Sequence, residues 1–292
     1  MCNSVSDVIT LTATAPLERV MLLLQTQECR DTSTVSYDGV RDCLQRLVSE
    51  QGIASLWCGN TVRISAAILG RSLTEFLNEV VLDRLIPDAK DDDKEAKMRR
   101  RVVAAFIAGL TSVAITYPLQ YAAFQMSGHV GRDKPAFNSV KECLVTTVRT
   151  AGLSGLFRGL GVTMWGILVN RSTCYGNYEW VQKANPFRHS SKSWLQWTST
   201  FGATQVVELF AVYVSYPLET VSRRLQMETL SKPPLYDSTL DSFLGTATSN
   251  PYDGLPARIF VMVGTNLVLA AFNSELMNRF DGVRRLMMKL FH

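Results

Sequence analysis

One phrase occurs three times in this chain and limits its fold more than any single residue does: Ala15-Pro16-Leu17-Glu18, Tyr117-Pro118-Leu119-Gln120 and Tyr216-Pro217-Leu218-Glu219. The prolines stand 102 and then 99 residues apart. A second phrase follows each of them, Tyr37-Asp38-Gly39-Val40-Arg41-Asp42-Cys43, then Phe137-Asn138-Ser139-Val140-Lys141-Glu142-Cys143, then Tyr236-Asp237-Ser238-Thr239-Leu240-Asp241-Ser242. Its aromatic lies 21, 19 and 19 positions after the proline. A third phrase, Gly52 with Leu56-Trp57-Cys58-Gly59, returns one hundred residues later as Gly152 with Leu156-Phe157-Arg158-Gly159. Self-similarity at a fixed period marks a repeat architecture. The 292 residues therefore read as one domain of three units, 1–99, 100–192 and 193–292.

Within each unit the pattern predicts a long helix carrying the proline, a short amphipathic helix and a second long helix. The long helices are expected at 5–28, 61–86, 101–127, 160–183, 194–228 and 257–280, and the short ones at 38–50, 138–150 and 237–248. Each long segment could cross about 30 Å of hydrocarbon. Polar residues such as Thr10, Thr12, Asn170, Arg171, Gln205 and Glu208 interrupt them, which in a bilayer calls for a polar partner or a wet interior. Composition agrees with helices that have one lipid face and one wet face: 47% of residues are hydrophobic and 19% charged, with mean hydropathy just above zero. A proline inside a helix removes a backbone hydrogen bond and bends it, so three prolines at one depth would draw three helices together at one mouth. Lys90 to Arg101 is dense in charge and reads as the solvated loop between units one and two.

Several function classes find no support. The net charge of +4 is spread along the chain and forms no basic tract for nucleic acid. There is no phosphate loop, dinucleotide glycine phrase or Gly-x-Ser-x-Gly elbow, so an enzyme is not expected. Cys2, Cys29, Cys43, Cys58, Cys143 and Cys174 include no Cys-x-x-Cys pair, and His129, His189 and His292 are isolated; neither a metal site nor another cofactor is expected. The first fifteen residues lack a basic region followed by an apolar run, so no cleavable signal is read there.

The three phrases resemble the signature of the mitochondrial carrier family, Pro-x-acid-x-x-base in the odd helices followed by aromatic-x-Gly and aromatic-base-Gly. Within that family, Ala15 to Val20, Leu22-Leu23-Leu24-Gln25, Ser215-Tyr216-Pro217 and Arg223-Arg224-Leu225-Gln226-Met227 look most like the ADP/ATP carrier branch. The resemblance implies an all-α membrane protein, six transmembrane helices in three pseudo-threefold repeats, with the short helices on the matrix side of the mitochondrial inner membrane. In the family each acid pairs with the next repeat's base to close the matrix gate. Here the acid positions hold Glu18, Gln120 and Glu219, and the base positions hold Met21, Ala123 and Ser222. Two carboxylates would then face the interior without an obvious counter-charge, apart from a neighbour such as Arg223 or Arg224. The even-helix positions for the opposite gate hold Glu79 and Leu82, Glu179 and Gln182, Asn273 and Leu276, again without a cation.

By the same resemblance, positions that carry phosphate-binding cations align with Leu11, Ala66 and Gly264, while Gly166, Ile167, Arg171 and Ser215 match positions that surround the nucleotide. Packing of small residues is the alternative role for Gly166 and Ser215. Gly39, Gly59, Arg158 and Gly159 match the lipid-binding phrases, so bound cardiolipin is expected, with simple turn glycines as the alternative. The missing cations point to a carrier-derived barrel that has lost transport and serves as an accessory subunit of an inner-membrane complex, in contact with protein partners. The alternative is a working carrier of nucleotide or of a changed substrate. The stretch Arg284 to Phe291 would be a docking helix or a lipid-surface helix.

Overall fold

A computed structural model describes residues 2–27, 36–82, 94–128, 137, 139–187, 193–229, 241, 243, 245 and 250–268. The elements are α1 (Cys2–Gln25), α2 (Val40–Gln51), a short 3-10 turn (Ile53–Trp57), α3 (Asn60–Val80), α4 (Lys94–Gly128), α5 (Val140–Gly155), α6 (Leu160–Ala184) and α7 (Ser193–Glu228), followed by α8 (Leu255–Val268). No strand occurs among the described residues. Expectation and structure differ most at α4, which begins at Lys94; the segment read as loop up to Arg101 is therefore helical from that residue on. Its sequence explains this, since Lys, Glu, Ala, Met and Arg are all strong helix formers and no glycine or proline interrupts them. The short helix expected at 237–248, the end of the last long helix and the stretch 284–291 lie outside the described residues, apart from helical positions 241, 243 and 245.

Pro16, Pro118 and Pro217 each lie inside a long helix. Proline cannot donate to the carbonyl four residues back, and in α1 that carbonyl belongs to Thr12. The indole Nε1 of Trp57 supplies the missing donor at 2.9 Å. The short helices dock beside the prolines. Val20, Leu23 and Leu24 of α1 bury Cys43 and Leu47 of α2 together with Leu56. Tyr121 and Ala122 of α4 do the same for Cys143 of α5 and Leu156. Val212 and Tyr216 of α7 pack on Met262, with Tyr252 and Leu255 against them. Each such buried aliphatic side chain contributes about 1.5–3 kcal/mol. Gly52 and Gly152 both have left-handed backbone, with φ of 81° and 74°, and turn the chain out of α2 and within α5.

Among the described helices, Arg100–Gly128 alone is long and apolar enough to cross a membrane by itself; Val140–Gly155 and Leu160–Tyr178 qualify only as a pair bent by 71°. The other long helices are diluted by polar side chains on one face. Their opposite faces carry exposed Leu69 and Phe76 on α3, Val103, Ile107 and Ile115 on α4, Trp165 on α6, and Val206, Phe210 and Tyr213 on α7. Stripes of large apolar side chains on the outside of a folded chain are the pattern of a surface not meant for water.

Candidate functional site: a central cavity and its closed end

The helices surround a cavity of about 630 Å³ between α4, α6 and α7, which adjoins a second space of about 420 Å³ between α1, α3, α6, α7 and α8. Asn170, Arg171 and Arg258 border both. Gly166, Ile167, Arg171 and Ser215, chosen from sequence, all line the larger part. A Cβ at Gly166 would meet Leu218 at 3.5 Å, an ordinary contact, so packing there does not require a glycine. Ser215 is buried and accepts a hydrogen bond from Asn170 Nδ2 at 3.1 Å. Of the aligned phosphate positions, Leu11 borders the smaller part, Ala66 is buried, and the space around Gly264 is open within 4 Å.

The structure corrects the expectation that Glu18 lacks a counter-charge, and for Glu219 it supplies the neighbour Arg223 named from sequence, with Arg258 in addition. Glu18 pairs with Arg63 of α3 at 2.5 Å. Glu219 pairs with Arg223 one turn further along α7 at 2.6 Å, and with Arg258 of α8 at 3.7 Å. Two of the three cations, Arg63 and Arg258, come from the even helices, and the third, Arg223, stays on the odd helix α7 one turn beyond Glu219. The signal was present in the sequence: Arg63 is four residues after Gly59, and Arg258 four residues after Gly254. In the middle unit the corresponding residue is Thr163, so where Gln120 replaces the acid, a neutral residue also replaces the base. A third pair missed by sequence reasoning joins Arg71 of α3 to Asp7 of α1 at 2.6 Å.

At the C-terminal ends of α1, α4 and α7 the cavity closes. The base positions Met21, Ala123 and Ser222 are buried there at 0%, 4% and 4% exposure. Each is met by a glycine that precedes an even helix. A Cβ on Gly254 would come within 3.1 Å of the Met21 carbonyl, one on Gly59 within 3.0 Å of the Ala123 carbonyl, and one on Gly159 within 3.0 Å of the Ser222 carbonyl. All three glycines have positive φ, 81°, 76° and 85°. Backbone thus packs on backbone where the family's pattern places long cations.

Hydrogen bonds tie the same ends. Arg223 donates to Gln25 Oε1 at 2.7 Å, and Arg224 to the Gln25 carbonyl at 3.0 Å, joining α7 to α1. Gln125 donates to the Gln226 carbonyl at 2.7 Å, joining α4 to α7. Arg19 reaches from α1 to the Ser127 carbonyl of α4 at 3.1 Å, to Gln51 at 3.0 Å and to the Ser55 carbonyl. Tyr117 donates to the Arg158 carbonyl at 2.9 Å and accepts from Gln226 at 2.7 Å, while Ser222 bonds Thr163. Amide–guanidinium and hydroxyl contacts therefore seal this end, together with one ion pair between repeats, Arg158 with Glu228 at 3.4 Å.

At the opposite end, Glu79 is exposed and Leu82 falls in a π-turn after α3; the side chains of Glu179 and Gln182, and residues Asn273 and Leu276, lie outside what is described. Of the lipid candidates, Gly39 and Gly59 occupy the caps before α2 and α3, and Arg158 is paired with Glu228 at 3.4 Å. Gly39 has φ 126° and open space around it, whereas Gly59 and Gly159 have the packing role just described. Cys43, Cys58, Cys143 and Cys174 form no disulfide among the described residues, and burial pushes the Cys143 thiol up to about 11.

Helices around a cavity of mixed charged, polar and apolar lining, with no strand among the described residues, are the build of a solute carrier. The mitochondrial carrier protein profile matches residues 1–88 and again 94–187, and the chain belongs to the mitochondrial carrier family. It is 28% identical over 284 residues to the mitochondrial substrate carrier family protein ancA of Dictyostelium discoideum, covering 96% of this chain and 89% of that protein. It is 31% identical over 252 residues to ADP/ATP translocase 2 of Tachyglossus aculeatus aculeatus, with 82% of each covered. To the human ADP/ATP translocase 4 it is 30% identical over 259 residues, covering 84% of this chain and 78% of the other.

Proposed function

We propose that this protein is a working carrier of the mitochondrial inner membrane that exchanges a small polar solute through its central cavity. The observation that carries this is the pairing of Glu219 with Arg223 and Arg258 on the wall of a cavity of about 630 Å³, and of Glu18, beside the 420 Å³ space, with Arg63. Loss of transport was expected from the missing cations at both gates and at the phosphate positions; for the two carboxylates, partners are in place. Alternating access needs one end held shut by contacts that can break and re-form, and short hydrogen bonds among Gln25, Gln125, Arg223 and Gln226 meet that need. On this reading the chain is one domain of three repeats, 1–99, 100–192 and 193–292, with six membrane-crossing helices whose apolar stripes face lipid. Cardiolipin would sit at the caps marked by Gly39, Gly59, Arg158 and Gly159, where free backbone amides at helix starts suit phosphate. Likeness to ADP/ATP translocases makes a nucleotide the first solute to try, with Gly166, Ile167, Arg171 and Ser215 around it.

A second reading keeps one observation in its favour. Met21, Ala123 and Ser222 are tied through backbone rather than through exchangeable charges, which suits an accessory subunit of an inner-membrane respiratory complex. Reconstitution into liposomes separates the two: we expect saturable exchange with at least one member of a panel of nucleotides, amino acids and keto acids. Exchange with none of them, together with co-migration in a large complex on native gels, would establish the accessory role instead.

A further inference from the structure

The charges that line the cavity do not suit a polyanion. Its two parts carry four arginines and four carboxylates. Most are used up among themselves: Arg71 with Asp7, Arg223 and Arg258 with Glu219, and Glu18 with Arg63 just below. Two remain, Arg171 on α6 and Glu208 on α7, which border the same 420 Å³ space and form no ion pair among the described residues. Glu208 is held in place by an uncharged donor. Asn266 of α8 donates from Nδ2 to its Oε2 and also to Gln205 Oε1 at 3.2 Å. An ionised carboxylate accepts at about four lone-pair sites, so one amide leaves most of its capacity facing the cavity.

We propose that this part of the cavity binds a zwitterionic, amino-acid-like solute, its carboxylate on Arg171 and its ammonium on Glu208, a proposal that rests on the carrier reading above. Arg171 is exposed and Glu208 half-buried, so both are open to a solute within the space, and one solute bearing both signs satisfies both. Arg171 alone would serve any anion; Glu208 repels phosphates and dicarboxylates and selects for the ammonium.

The test uses the purified full chain in proteoliposomes, with each standard amino acid radiolabelled in turn beside ADP, inorganic phosphate and a dicarboxylate. Saturable uptake of at least one neutral amino acid, indifferent to an imposed potassium diffusion potential, is expected. Glu208→Gln and Arg171→Gln should each raise its half-saturation concentration by roughly 30-fold or more, with Glu208→Asp recovering part of the loss. Should Glu208→Gln fail to fold, Asn266→Ala removes only the positioning amide and should cost about tenfold. Uptake of ADP, phosphate or dicarboxylate without any amino acid overturns the proposal and leaves the carrier reading standing, as does amino-acid uptake unchanged in Glu208→Gln. No uptake of any solute overturns both.

Discussion

Met21, Ala123 and Ser222 are small or uncharged where they meet Gly254, Gly59 and Gly159, and this decides what substitutions there will do. A lysine at 21 would have to place an ammonium where Met21 is fully buried, and Glu18 is already taken by Arg63. Met21→Lys should therefore destabilise by more than about 3 kcal/mol, read as a lower Tm in detergent. Gly159→Ala should cost about 1–3 kcal/mol, because φ is 85° and the Ser222 carbonyl blocks the new Cβ at 3.0 Å. Gly161→Ala, with nothing within 4 Å, should be neutral or slightly stabilising in the same assay. Cys143 gives a pH prediction. With its thiol pushed up to about 11, only about a thousandth is thiolate at pH 8, and maleimide should label it far more slowly than an unfolded control. The folded chain keeps this proton to higher pH than the unfolded chain, so its contribution to stability is complete below about pH 9 and fades as pH rises toward 11; Cys143→Ala should show a shallower loss of Tm over that window.

At the scale of elements, the bend in α1 shows how a proline's cost is offset locally. Trp57, from the turn before α3, donates to the carbonyl that Pro16 leaves free. Trp57→Phe keeps most of the packing and removes that donor, and should lower stability by about 1 kcal/mol, measured by thermal unfolding beside Trp165→Phe as an outward-facing control. The prolines and the first two short helices were legible in the sequence because spacing repeats whatever the side chains in between do. The start of α4 at Lys94 was not, since charge density suggests solvent and says nothing against a helix; propensity prevailed over that impression. Nor could the alignment find Arg63 and Arg258. It compared base positions within the odd helices, whereas the partners come from across the interface, and only the fourfold step after Gly59 and Gly254 marks them.

For the whole molecule, the cavity side chains Gly166, Ile167, Arg171 and Ser215 were readable from the resemblance, while the balance of charge around them required the packing. The closed end can be probed directly. Ser222→Cys should resist a membrane-impermeant maleimide added from that side, and combining it with Gln25→Ala and Arg223→Ala should speed labelling about tenfold or more, the effect of losing roughly 1.4 kcal/mol of closure. The glycine contacts have a consequence for the integrity of the chain. Gly59 leans on α4, Gly159 on α7 and Gly254 on α1, so the clasps run in a circle with no first or last member. A circular permutant opened between residues 83 and 93, with its old termini joined, would keep all three clasps, whereas a fragment lacking any one third would keep a single clasp and leave two partners facing nothing.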